Sequence, residues 1–355
     1  MTVSENIHAA RLEAGSAQDR LPVGQLLAFT VAGFLAIMTE NMPAGLLPQI
    51  GTGLGVSEAM AGQTVTLYAL GSVVAAVPVI AATRSWNRRP LFLLAIAGLL
   101  IFNTMTAVSA QYGLTLVARF VAGMSAGVVW GLVAGYARRL APQNLQGRAM
   151  AIVGVGQPIA LSLGVPLGSW LGGMFDWRAV FYIMSAIALL LLAWVRLAVP
   201  DFPGQARHQR LPVRLVFLIP GVRPVLLVLF AWILAHNILY TYVAPFLGAT
   251  GTDLRLDLIL LVFGVAAWGL TFGGAPTLLQ TALADSAGDH ADVAQSILVT
   301  VFNLAVAGGG LIGGLVTDQA GPGWLPWILL PLVMTALATV WQAKAHGFRA
   351  GRRAA

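Results

Sequence analysis

The sequence predicts an all-α polytopic membrane protein, and three observations carry that prediction. Only 9% of residues are charged while 58% are hydrophobic, against about 25% charged in soluble domains. The few charges cut the chain into uncharged windows, most of them as long as the roughly 20 apolar residues that cross a bilayer. The basic residues gather in alternate connections, as expected when one side of a membrane retains them. These windows place ten spans at about 24–47, 61–82, 91–109, 113–137, 149–172, 179–199, 224–247, 258–284, 294–317 and 324–342.

Residues 1–23 carry Glu5, Arg11, Glu13, Asp19 and Arg20 and lack an apolar core closed by a cleavage site. A short cytoplasmic tail is expected there rather than a removable signal peptide. Residues 24–199 hold six spans. The linker at 200–223 opens on "PDFPGQARHQRLPVR", the one long polar interior segment. Four spans follow in 224–342, then a basic cytoplasmic tail at 343–355. Arg84, Arg88, Arg89, Arg138, Arg139 and Arg148 lie on the linker's side of the membrane, whereas the opposite loops offer Arg178 and Arg255. Both termini are therefore expected in the cytoplasm, which the even span count requires. The connection "DSAGDHAD" (285–292) is acidic, but acidic residues weigh little in that rule. Membrane orientation, not nucleic acid, accounts for the net charge of +7. The absence of cysteine rules out disulfides and thiolate metal sites.

The two parts look like related halves. "AGLLPQIGTGLG" in the first resembles "TYVAPFLGATG" in the second, setting Pro48 against Pro245; further on, Gly127 falls against Gly274. Between these anchors the offset drops by about 50 residues, the length of two spans with their turns. The natural seam lies in "LVFGVAAWGLTFGG" near Ala267–Trp268. As one helix the window 258–284 would be about 40 Å long, too short for two crossings. The alternative is a second half that never had six spans.

In order along the chain, several motifs resemble the major facilitator superfamily in its drug:proton antiporter-like, arabinose-efflux-type branch. They are "TENMPAGLLP" with "GVSEAMAGQTVTLYALGS" on the first and second helices, "ARFVAGMSAG" on the fourth, "GVGQPIALSLGVPLGSWLG" followed by "DWRAVFYI" at the fifth and sixth, and "HNILYTYVAPFL" on the seventh. The resemblance implies a two-half helical bundle, here with about ten transmembrane helices (6 + 4) instead of twelve. It also implies a multi-pass protein of the bacterial plasma (inner) membrane. One hallmark departs from the pattern. The loop "VIAATRSWNRRP" has Thr83 where the family's aspartate belongs, although Arg84, Arg88 and Arg89 keep its basic half.

Glu40 is the leading candidate for chemistry. Gly33, Ala36 or Ile37, Glu40 and Pro43 or Ala44 recur at helical spacing, giving a small face that packs closely. A carboxylate within the membrane costs about 2.5–3.5 kcal/mol on insertion scales, so such groups line cavities, where they can exchange protons. The resemblance implies the same role. Arg119 heads a stripe of small residues, Gly123, Gly127, Gly131 and Gly135, and is expected to point into the bundle. There it could bind an anionic group, tune Glu40 or tie backbone carbonyls together. Gln157, Pro158, Gly164, Pro166 and Gly168 form the fifth-helix motif; flexing between inward- and outward-open states is what the resemblance implies, and plain packing is the alternative. Trp232, His236 and Tyr240 lie four apart on the seventh helix with Asn237 beside them, a strip suited to an amphiphilic or cationic substrate. Gln280 and Asn303 are further intramembrane polar candidates.

Together these features predict a secondary active transporter, with proton-coupled efflux of a small drug or sugar-like compound by alternating access. No phosphate-binding glycine loop implies ATP. No cofactor or metal is expected beyond the proton gradient, and a monomer is expected. An enzyme would need a cluster of reactive groups, and the membrane offers one glutamate, one histidine and no cysteine at distant positions. The competing reading is a truncated, transport-inactive remnant of such a transporter.

Overall fold

A computed structural model of the chain describes residues 21–205, 211–249 and 274–348, and these are helical with short connections. Among the described residues, nine helical segments are long and apolar enough to cross a membrane. Eight match predicted spans singly. The ninth runs from residue 275 to 317 and joins the end of the predicted eighth span to the ninth. Residues 250–273, and with them the proposed seam at Ala267–Trp268, lie outside the described residues.

The first span begins as α1 (Val23–Asn41), tightens into a 3₁₀ turn over Met42–Leu46 and continues as α2 (Leu47–Leu54). Pro43 and Pro48 explain the change of pitch, since each lacks the N–H that a continuous α-helix needs. Gly55, at φ 66°, ends the span in the left-handed conformation that glycine adopts without strain. The Ser57 hydroxyl then caps α3 (Glu58–Ala82), accepting from the Met60 N–H at 3.2 Å. Next come α4 (Arg88–Val108) and α5 (Tyr112–Leu140).

The fifth span is segmented. It consists of α6 (Gln146–Gly154), α7 (Gly156–Ile159), a π turn over Ala160–Gly164 and α8 (Val165–Met174). Pro158 and Pro166 flank the π turn, in which the Val165 N–H reaches the Ala160 carbonyl five residues back. Asp176 caps α9 (Trp177–Ala198), which completes the first half.

The linker contains the short α10 (Val213–Phe217). The second half contributes α11 (Val222–Ala249), kinked at Tyr242 just ahead of Pro245, then α12 (Ala275–Ala287), α13 (Ala291–Gln319) and α14 (Leu325–Gln342).

Small residues set the spacing. The glycines of α5 lie against α3, so a Cβ on Gly123 would meet the Tyr68 main chain and one on Gly127 that of Ser72. On the fifth span, Gly164, Gly168 and Gly172 face Met38, Met42 and Leu46, two stripes of matching four-residue spacing. Backbone against backbone in the first case and side chain into glycine gap in the second, such packing holds membrane helices close. α13 crosses between the halves and packs on α3, α5 and α11.

Candidate functional site

Between the halves lies a cavity lined by residues of both. Each wall reads as one face of a helix. α1 supplies Ile37 and Glu40, α5 supplies Ala126 and Trp130, and α12 supplies Pro276 and Gln280. α13 supplies Gln295, Val299, Phe302 and Asn303, and Gln157 enters from α7. Four residues singled out from the sequence thus meet in one space: Glu40, Gln157, Gln280 and Asn303. Glu40 is the one ionisable side chain lining it among the described residues.

Arg119 is fully buried and stands behind this wall rather than in it. Its Nε donates to the Thr64 carbonyl at 3.1 Å and an Nη to the Glu40 carbonyl at 3.4 Å. The guanidinium lies 4.7 Å from the Tyr68 ring centroid, and the Tyr68 hydroxyl donates to the Ala36 carbonyl at 2.9 Å. Of the three roles open to Arg119 on sequence grounds, tying backbone carbonyls is the one its contacts display. It does so where the helix changes pitch, beside the proton-exchange candidate. Asn103 adds a brace, donating to Thr39 Oγ1 at 3.0 Å.

Other candidates lie elsewhere. Trp232, His236 and Asn237 are on α11 but do not line the cavity, to which that helix presents Leu229. Asn237 donates to the Ile233 carbonyl at 3.1 Å and faces Gly309 of α13. The side chain of Tyr240 lies outside the described residues. Gly123, Gly127, Gly164 and Gly168 sit at helix contacts. Pro158 and Pro166 bracket the π turn, a distortion frequent at functional sites.

Sequence reasoning missed Trp130 and Gln295. Trp130 packs its ring against Gly33 of α1 and sits beside the glycine stripe rather than on it. Gln295 precedes Asn303 by eight residues, so the helical period running back from Asn303 was the signal for it.

At the face where α1 begins and α14 ends, a second constellation joins the halves. The Asp292 carboxylate lies 3.0 Å from an Arg88 nitrogen and 3.6 Å from one of Arg139. Arg138 pairs with Asp285. The linker reinforces them: Arg84 donates to the Leu211 carbonyl, the Arg89 N–H to Asp201 at 3.0 Å, and Gln205 to the Asp289 carbonyl. Thr83 bonds back to its own helix at Val79. The carboxylate that Arg88 and Arg139 meet is Asp292, from the opposite half.

The sequence profile of the Major Facilitator Superfamily matches residues 29–268. A purine ribonucleoside efflux pump, NepI, from Escherichia coli O1:K1 is 28% identical, over 82% of this chain and 87% of its own. The protein of that name from Salmonella paratyphi B is 26% identical, over 94% and 95%. Two solved structures share the fold. The human organic anion transporter MFSD10 has a TM-score of 0.66 at 17% identity, over 91% of this chain and all of its own. The E. coli fucose:proton symporter FucP has a TM-score of 0.61 at 14% identity, over 89% and 98%. The apolar helices, the cavity between two halves and these matches agree: the chain is a multi-pass membrane transporter, not an enzyme, and belongs to the Major Facilitator Superfamily.

Proposed function

We propose that the protein is a proton-coupled exporter of small uncharged organic compounds, of the ribonucleoside kind for which its E. coli and Salmonella relatives are named. The observation that carries this reading is the cavity itself. Glu40 is the single ionisable side chain on its described wall, and the rest is amides, the Ser72 hydroxyl, aromatic rings and apolar groups. A half-buried carboxylate facing the substrate space lets proton and substrate occupancy oppose each other, which is the requirement for antiport. No arginine or lysine lines the described wall, so an anionic cargo finds no counter-charge. A ribonucleoside offers both a sugar and a heterocycle to the amides.

Alternating access follows from the two constellations. Here the face holding Asp292 is closed by ion pairs and by the linker. Opening it separates Asp292 from Arg88 and Arg139, while the glycine contacts within the first half move as a unit. We place that face in the cytoplasm of a bacterial inner membrane, with the protein acting as a monomer.

An internal loss of about two spans is part of this reading. The family profile stops at residue 268, at the proposed seam. The alignment with the Salmonella protein runs over 384 residues against a chain of 355, so the relative carries segments absent here. A transport-inactive remnant would lack a second-half wall. Pro276, Gln280, Gln295 and Asn303 supply one among the described residues, which supports an active exporter.

The test is uptake of radiolabelled adenosine and inosine into inverted membrane vesicles made acidic inside. The proposal predicts accumulation that a protonophore abolishes. Equal uptake with and without the gradient, or none from protein shown to be inserted, would overturn it.

A further inference from the structure

Gln295 is the least expected member of the cavity wall. Its residue is only 1% exposed, yet its Oε1 has no hydrogen-bond partner among the described residues. A buried acceptor left without a donor costs about 1–3 kcal/mol, and such atoms in native proteins call for a cause. Here the atom belongs to a side chain that lines the cavity, so a donor arriving with the cargo would satisfy it.

The surroundings narrow the donor's chemistry. Asn303, two turns along the same face, uses its Nδ2 on the Val299 carbonyl at 2.9 Å, which leaves its oxygen for the cavity. Gln280 faces them from α12, and Trp130 and Phe302 offer aromatic surface to a planar ring. A carboxamide presents one donor and one acceptor side by side. On a purine this pair complements the 6-amino group and N1 of adenine, and equally the O6 and N1–H of a 6-oxopurine, whereas a purine with hydrogen at C6 offers the Gln295 oxygen no donor.

We infer that Gln295 is a specificity-determining residue, reading the 6-substituted edge of a purine ribonucleoside and rejecting purines that carry hydrogen at C6. This rests on the nucleoside reading above and adds to it a choice among nucleosides.

The experiment is equilibrium dialysis of the full-length protein in detergent with radiolabelled adenosine, inosine and purine riboside, the last carrying hydrogen in place of the amino group. The expected result is adenosine and inosine each bound about tenfold to a hundredfold more tightly than purine riboside, the range for one hydrogen bond to an otherwise unpaired buried group. Gln295→Leu should bring adenosine down to the affinity of purine riboside. The ligand series on the unaltered protein needs no variant to fold. Purine riboside binding as tightly as adenosine would overturn the inference while leaving a nucleoside exporter standing. So would full discrimination retained in Gln295→Leu. Binding of none of the three would remove the nucleoside reading and this inference together.

Discussion

Replacing Asp292 with asparagine should release the closed face. The Asp292 carboxylate and the Arg88 guanidinium are at most 4% exposed and lie 3.0 Å apart, with Arg139 at 3.6 Å and 29% exposed. Removing one partner of such a pair leaves the other charge buried and costs about 3–5 kcal/mol. The loss falls on the closed arrangement, because opening returns Arg88 to water. At about 1.4 kcal/mol per factor of ten, the closed-to-open ratio falls by at least a hundredfold, enough to turn a population about 99% closed into one at least half open. The chain has no cysteine, so labels can be placed without background. Spin labels at Gln143→Cys and Asp289→Cys, both exposed and facing each other across the polar cleft, would report the separation as a distance distribution. The lock predicts that Asp292→Asn moves this distribution to longer distances, that Asp292→Glu moves it less, and that Asp176→Asn, on the opposite face, leaves it in place. An unchanged distribution in folded Asp292→Asn protein would refute the reasoning.

Other substitutions test the packing and the site. Gly123→Leu would drive a side chain into the Tyr68 main chain, whose carbonyl carbon is 2.7 Å from a Cβ at that position. It should cost about 1–3 kcal/mol or more and lower Tm in detergent, whereas Gly113→Ala, with open space around it, should not. Tyr68→Phe deletes the hydrogen bond to the Ala36 carbonyl and should cost about 1 kcal/mol, read as a fall of a few degrees in Tm. Arg119→Lys loses the fork that reaches two carbonyls at once; transport should fall at least tenfold while membrane insertion persists, measured by vesicle uptake against protein amount.

The spans were legible because charge is so scarce that each charged cluster marks a connection. The cavity was legible in part, for a related reason. Glu40, Gln157, Gln280 and Asn303 are polar groups far from any connection, and polarity deep in a membrane signals a lined space. Gln295 is the second residue of the predicted span 294–317, close enough to the connection that its polarity gave no signal of a lined space. Trp232 and His236 show the limit of periodicity. Their spacing fixes a face of α11 that Leu229 shares, but not the depth at which that face meets the cavity, which receives Leu229. Asp292 was hidden more deeply. It read as a loop charge, and its partners Arg88 and Arg139 lie in the other half, so only the folded chain shows that they meet.

Proton exchange at Glu40 is the central claim, and substrate-induced proton release tests it most directly. Purified protein in weakly buffered detergent solution, near neutral pH, would receive adenosine while a pH-sensitive dye is followed. Opposed occupancy predicts release approaching one proton per bound nucleoside, and none from Glu40→Gln protein that still binds the nucleoside. Nucleoside binding without proton release, or equal release from Glu40→Gln, would contradict it.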